Sequence, residues 1–262
     1  MPTLQRNGST LYYELYDEAP SSDNAPTVVL LHGVGGNHAS WFHQITAWRA
    51  RWRVVVPDAR GFGNSTDAEG LGRSGFVDDL AAVLEATGCA RVVLVGQSMG
   101  AGTAISYACA NPQRVAGLVV ADSLFGIDLP GGVRERMDAL TARNASLSQI
   151  ARVLGATTVA TRPDMATLYT ALASFNSVNV RTLTGVQQLH RPDDISATGV
   201  PTLFVVGGED VLFPPDEVRE VQRCVAGSSF ALLETAGHSA YFEAPDAFNA
   251  AVEDWLARVG GA

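Results

Sequence analysis

The chain has 262 residues and a net charge of −9, and all 18 of its Lys-plus-Arg cations are arginine because the sequence contains no lysine. Schiff-base chemistry, a lysine base and a phosphate-loop lysine are therefore excluded, and the acidic balance with scattered arginines argues against a surface that wraps nucleic acid. With 47% apolar and 17% charged residues, the length suits one large α/β domain or a domain carrying an insertion.

Thr10–Tyr16 reads as an antiparallel edge strand. Short, nearly continuous β-rich runs follow at Thr27–Leu31, Arg53–Val56, Arg91–Val95, Gly117–Ala121, Thr202–Val206 and Phe230–Leu233, as expected of strands buried on both faces. Helical spacing lies between several of them, at Phe76, Val77, Leu80, Val83 and Leu84 before Gly88, and finally at Phe248, Ala251, Val252, Trp255 and Val259. Alternating strands and helices predict a parallel sheet covered on both faces. From Leu124 to Ile195 the rhythm breaks, with four candidate helices at Val133–Arg143, Leu147–Leu154, Met165–Phe175 and Val180–His190. The expected division is a core of residues 1–123 and 197–262 with a helical cap at 124–196, placed as a lid over the sheet edge where ligands bind.

Cys89, Cys109 and Cys224 are odd in number and far apart, so neither a disulfide framework nor a zinc site is indicated, and a reducing compartment is expected. Met1–Ser9 lacks an apolar leader, and the aliphatic runs are of strand length. The expectation is a soluble cytoplasmic protein with no membrane and no nucleic-acid partner.

The strongest local signal is Gly96-Gln97-Ser98-Met99-Gly100, directly after a strand and at the start of a helix. In that context a G-x-S-x-G turn lifts a serine hydroxyl above the sheet, with glycines where any side chain would collide. A dinucleotide-binding glycine loop would need glycine where Ser98 stands. A hydroxyl needs a histidine to remove its proton. His238, after the last strand, meets the sheet edge of Ser98, whereas His32, His38, His43 and His190 read as surface or supporting imidazoles. The imidazole needs an acid. Asp210, at the end of Thr202–Val206, is preferred over Asp122, which ends the preceding strand, and over its neighbour Glu209. The order Ser98, Asp210, His238 suits a hydrolase sheet of this kind. Two N–H donors for an oxyanion are expected from the backbones of Val34, in His32-Gly33-Val34-Gly35-Gly36, and Met99.

With these pieces the chain resembles the α/β-hydrolase superfamily over essentially its full length. Asp58-Ala59-Arg60-Gly61-Phe62-Gly63-Asn64-Ser65 is similar to that family's supporting D-x-R-G-x-G-x-S turn, and the insertion corresponds to its cap. The stretches His32–Trp41 and Gly96–Gly100 resemble the 3-oxoadipate enol-lactonase and small-esterase branch, with Ala101 a departure from a common third glycine. The implied activity is hydrolysis of a small-molecule carboxylic ester or lactone without metal or organic cofactor. Ser98 at the elbow disfavours dehalogenase and epoxide-hydrolase chemistry, which uses aspartate there. C–C bond hydrolysis and cofactor-free haloperoxidase or perhydrolase chemistry share the same triad. A ligand receptor or regulator on the same fold is the alternative of another class. Trp41 is a candidate pocket residue. Seven arginines (134, 136, 143, 152, 162, 181, 191) against six acids give residues 124–196 a charge of +1 and the remainder −10; any cation meeting an anionic substrate must be arginine and the cap is the first place to look for it, while each of the seven taken singly reads as a solvated surface residue.

Overall fold

The computed structural model describes residues 2–18 and 26–259. Eight strands are ordered β1-β2-β4-β3-β5-β6-β7-β8 in one sheet: β1 Thr3–Arg6, β2 Ser9–Tyr16, β3 Thr27–Leu31, β4 Val54–Pro57, β5 Val92–Gln97, β6 Val115–Ala121, β7 Thr202–Gly207 and β8 Ser229–Leu233. All neighbouring pairs from β4 to β8 are parallel. Antiparallel pairing joins β2 to β4 and β1 to β2. The sequence predicts β2 as the edge, but β1 lies outside it. The two are joined at Asn7-Gly8, with φ of 47° and 78°, the left-handed pair that a tight hairpin demands.

Helices α1 Phe42–Trp48, α2 Phe76–Ala86 and α3 Met99–Ala110 lie in the first half of the chain. Then come α4 Gly131–Asn144, α5 Gln149–Val153, α6 Ala156–Thr161, α7 Pro163–Ala173 and α8 Pro192–Ala197, all between β6 and β7. The chain ends with α9 Pro215–Arg223, α10 Ala240–Glu243 and α11 Pro245–Val259. Alternate strand residues feed two cores, as the two-residue period of a strand requires. Val29, Leu94, Leu118 and Phe204 pack with Leu80, Ile105 and Val218 from α2, α3 and α9. Val28, Val93, Val119 and Leu203 pack with Trp48, Val252 and Trp255 from α1 and α11.

The segment between β6 and β7 is helical as expected, with one exception. Val180–His190 is not a helix: it is an irregular strap, although Val180, Leu183, Val186 and Leu189 keep helical spacing. The Thr182 and Leu183 N–H groups donate back to the Asn179 carbonyl, but no helical ladder continues from there, and further polar groups bond to the body of the protein. The Val178 and Arg73 N–H groups donate to Gly61 and Thr184 carbonyls, and the Val186 N–H donates to Ser74 Oγ. Gly185, at φ 80°, supplies a left-handed turn that no helix tolerates. At its end His190 forms a bridge with Ile127 and bonds Ser106 of α3 through Nε2 at 3.1 Å.

Candidate active site

Ser98 stands between β5 and α3 at φ 50° and ψ −117°, a strained conformation for a residue with a side chain. Its carbonyl accepts from Ser123 Oγ at 2.9 Å and its N–H donates to the Ala121 carbonyl at 2.9 Å, so the strained backbone is held from both sides. The flanking glycines are sterically required. A Cβ on Gly96 would stand 2.6 Å from the Gly100 carbonyl oxygen and from Ala101 Cα, and one on Gly100 would overlap the Leu31 carbonyl.

Three sequence-predicted side chains meet here. His238 Nε2 lies 2.9 Å from Ser98 Oγ, and His238 Nδ1 lies 2.9 Å from Asp210 Oδ2. The other Asp210 oxygen accepts the N–H groups of Leu212 at 2.7 Å and Phe213 at 3.0 Å, which fixes the carboxylate. All three residues are at most 5% exposed. An acceptor at Asp210 keeps the proton of a neutral imidazole on Nδ1, leaving the Nε2 lone pair aimed at the serine hydroxyl. Phe213 packs against the His238 ring at a centroid distance of 5.7 Å, and Phe125 packs edge-on against Phe213 at 5.3 Å.

Asp122, the competing acid, does not reach His238. It is fully buried at φ 48°, and its two oxygens accept from the Gly207 N–H at 2.9 Å and the Ala240 N–H at 3.0 Å. It therefore ties the end of β7 to the start of α10. Burial, reinforced by the negative charge of Asp210, pushes its acid well above the usual carboxylate range. Glu209 also turns away, its carboxylate accepting the Thr157 N–H at 2.8 Å.

The Gly33 turn lies against the serine. A Cβ on Gly33 would overlap Gln97 Oε1 and come within 2.8 Å of Ser98 Cβ, so only glycine fits. His32 shapes this turn. Its Nε2 accepts the Ala59 N–H at 3.0 Å, so Nδ1 carries the proton and donates to the Gly33 carbonyl at 2.9 Å. The Gly36 N–H donates to the same carbonyl at 3.1 Å. In a trans peptide the C=O and N–H point in opposite directions, so the Val34 N–H is turned away from His32. Met99 is the first residue of α3, where an N–H has no intrahelical acceptor.

Trp41 does not line an open pocket: it has no exposed surface and packs on Tyr241 at 4.1 Å and near Phe248 at 6.4 Å. Its size and apolar neighbours draw it into the core beside α11. The remaining histidines are engaged elsewhere, His38 with Asp58 at 2.8 Å and His43 stacked on Phe42 at 3.9 Å. Sequence reasoning missed Gln97, whose Nε2 donates to the His238 carbonyl at 2.7 Å, and Glu243, whose carboxylate accepts the N–H groups on both sides of His238. Gln97 was within the G-x-S-x-G turn, but nothing local marks Glu243. Among the described residues no group of three or more His, Cys, Asp or Glu is arranged to hold a metal ion, and no helix is long and apolar enough to cross a membrane.

The family described as alpha/beta hydrolase fold matches residues 26–245. Pyrrolizixenacetamide deacetylase of Xenorhabdus hominickii is 29% identical, with 85% of this chain and 88% of the relative covered. A thermophilic esterase from Thermogutta terrifontis superposes with a TM-score of 0.79 at 27% identity, covering 98% of this chain and 97% of the other. Est816, described as an N-acyl homoserine lactone degrading enzyme, gives a TM-score of 0.77 at 26% identity, covering 97% and 99%.

Proposed function

The chain belongs to the α/β-hydrolase fold family, and from that premise we propose that it is a serine hydrolase cleaving a small-molecule carboxylic ester or lactone through an acyl-enzyme. The observation that carries this reading is the continuous hydrogen-bond relay from Ser98 Oγ through His238 to Asp210, with both links at 2.9 Å. Ser98 Oγ attacks the carbonyl carbon as His238 Nε2 takes its proton. The tetrahedral oxyanion is held by the N–H groups of Val34 and Met99. As the intermediate collapses, the C–O bond to the leaving oxygen breaks and His238 returns the proton to it. A water then gives its proton to His238 as it attacks the acyl carbon, and on collapse the C–Oγ bond breaks and His238 returns the proton to Ser98 Oγ, which frees the acid and restores the serine. Asp210 holds the imidazole and stabilises its cationic form throughout. A hydroxyl, an imidazole, a carboxylate and two amides suffice, so the proposal calls for no metal or organic cofactor.

The likeness to an esterase and to a lactone-degrading enzyme supports the ester and lactone classes. Residues 124–196 act as the cap in this reading, and the cytoplasm is the proposed compartment. The deacetylase relative favours a second reading, in which the same relay cleaves an amide and His238 protonates a leaving amine. The deciding experiment treats the protein with a fluorophosphonate, locates the adduct by mass, and assays wild type and Ser98→Ala on p-nitrophenyl esters, lactones, N-acetyl amides, C–C substrates and a peroxide-dependent halogenation assay. The expected outcome is an adduct on Ser98 and ester or lactone turnover reduced at least about 10³-fold by the substitution. Equal, negligible turnover by both proteins would overturn the enzyme reading in favour of a ligand receptor or regulator.

A further inference from the structure

Glu243 closes α10 five residues after His238, outside the relay itself. Its Oε1 accepts the Gly237 N–H at 2.9 Å and the Ser239 N–H at 3.2 Å, the amides immediately before and after His238. Its Oε2 accepts the Gly155 N–H at 2.7 Å, at the junction of α5 and α6. One carboxylate thus joins the loop bearing His238 to the inserted helices.

Two further contacts converge on this junction. Gly155 and Gly237 abut backbone to backbone: a Cβ on Gly155 would stand 2.9 Å from the Gly237 nitrogen, and one on Gly237 would overlap the Gly155 nitrogen. Glu209, the neighbour of Asp210, accepts the Thr157 N–H at 2.8 Å with its side chain and donates its own N–H to the Ala236 carbonyl at 2.8 Å. The His238 carbonyl is meanwhile held by Gln97 Nε2. The imidazole-bearing segment is therefore fixed on its inner side by β5 and on its outer side by Glu243.

We infer that Glu243 is a positioning residue, which sets the His238 imidazole against Ser98 and makes that position depend on the seating of the α5–α6 junction. The inference rests on the serine-hydrolase reading of Ser98 and His238. Three acceptor contacts on one carboxylate require both oxygens to be lone-pair acceptors. A carboxamide of the same length keeps one such oxygen, while its NH₂ meets an N–H group with another donor. Glu243→Gln therefore leaves the packing volume intact and frees one side of the clamp, either the His238 loop or Gly155. A small displacement of a general base lowers the rate of bond formation much more than it alters ground-state binding.

The test measures inactivation of Ser98 by a fluorophosphonate, separated into a maximal rate and a half-saturating concentration, at a temperature where melting curves show each variant fully folded. The second readout is the downfield Nδ1 proton resonance of His238. For Glu243→Gln the maximal rate should fall at least about tenfold, the half-saturating concentration should change less than about threefold, and the resonance should broaden through faster exchange. Ser148→Ala supplies the comparison, because it removes only the bond from the Ala151 N–H to Ser148 Oγ at the start of α5. It should leave the maximal rate within about twofold, since an exposed helix cap acts on stability alone. A Glu243→Gln maximal rate within about twofold of wild type, or an equal loss in Ser148→Ala, overturns the inference. If the wild-type protein takes no label at Ser98, the serine-hydrolase reading fails, and the resonance alone then decides the clamp: an unchanged signal in Glu243→Gln overturns it.

Discussion

His32 shows how a residue outside the Ser98–His238–Asp210 set can shape the turn packed against its serine. Its ring is a spacer of fixed polarity, accepting at Nε2 and donating at Nδ1, and a second proton would turn the Ala59 N–H contact into a clash of donors. Burial, only partly offset by the Asp58 charge, lowers its pKa below the ordinary 6.5. An unfolded chain therefore binds the His32 proton more readily than the folded one. The stabilisation from a neutral His32 is fully present above 6.5 and is lost as the pH falls through the folded value. His32→Gln keeps an acceptor and a donor but does not titrate. Urea unfolding at pH 7.5 and 5.5 should show wild type losing stability relative to His32→Gln on acidification, by at most about 1.4 kcal/mol per pH unit. The same ring holds the Gly33 carbonyl, so turnover of the proposed substrates should respond only below the folded value, where the native ring itself takes the proton, and less in the variant. A stability difference independent of pH would show that His32 is not held neutral.

The elements were legible wherever a segment is decided by its own pattern. β3, β5, β6 and β7 are nearly continuous apolar runs because both of their faces are covered; the ends of β5 and β7 and the loop after β8 bring Ser98, Asp210 and His238 to one edge. The short polar strand Thr3–Arg6 carries no such signal and is not expected from the sequence pattern; the local mark of its hairpin is the left-handed Asn7-Gly8 pair. The strap at Val180–His190 departs from the expected helix because apolar spacing alone does not decide it: bonds to other elements, such as Arg73 N–H to Thr184 and Val186 N–H to Ser74, take the place of a helical ladder. Glu243 was illegible because its partners at Gly237, Ser239 and Gly155 are backbone amides, which carry no residue-type signal, and one of them is 88 residues away. The turn Asp58–Ser65, expected to be supporting structure, is anchored by a buried ion pair. Arg60 is 1% exposed and forms a two-pronged pair with Asp79 of α2, Nε to Oδ2 at 2.6 Å and Nη2 to Oδ1 at 2.7 Å, with Asp67 at 3.2 Å. Removing one partner of such a pair leaves a buried charge poorly compensated. Asp79→Ala should cost about 3 kcal/mol in urea unfolding. The double variant Arg60→Met with Asp79→Leu should recover much of that loss, because apolar side chains of similar volume need no counter-charge. A loss below about 1 kcal/mol would mean that water or Asp67 replaces Asp79 at little cost.

At the scale of the molecule the charge distribution bears on which substrates approach easily. The net charge is −9, and the excess of one arginine in residues 124–196 raised the prospect of a basic cap that attracts anions. Four of those seven arginines are already paired: Arg134 with Asp128, Arg162 with Asp164, Arg191 with Asp194, and Arg136 with Glu217 and Glu220 of α9. Arg143 and Arg181 are exposed, so water screens their charge effectively. Residues 124–196 are also no free basic flap, being bonded to the rest of the protein at Gly155, at Asn176, whose side chain meets Gly36 and Gly63, and at His190. With four of its seven cations paired, Arg143 and Arg181 solvated and only the half-buried Arg152 left over, the field met by an incoming ligand is dominated by the net acidic charge of the protein. An anionic ester is then repelled at long range, and salt weakens the repulsion because the Debye length shrinks from about 30 Å at 0.01 M to about 8 Å at 0.15 M. Over that range kcat/KM should rise, by roughly twofold or more, for an ester bearing a carboxylate, and should stay constant for a neutral ester of the same shape. The sign of the salt effect is the measurement that matters. A cap arginine that steers or clamps an anionic substrate would make kcat/KM fall with salt, and the first substitutions to make would then be Arg143→Gln, Arg152→Gln and Arg181→Gln, the three cap arginines for which no ion pair is found among the described residues.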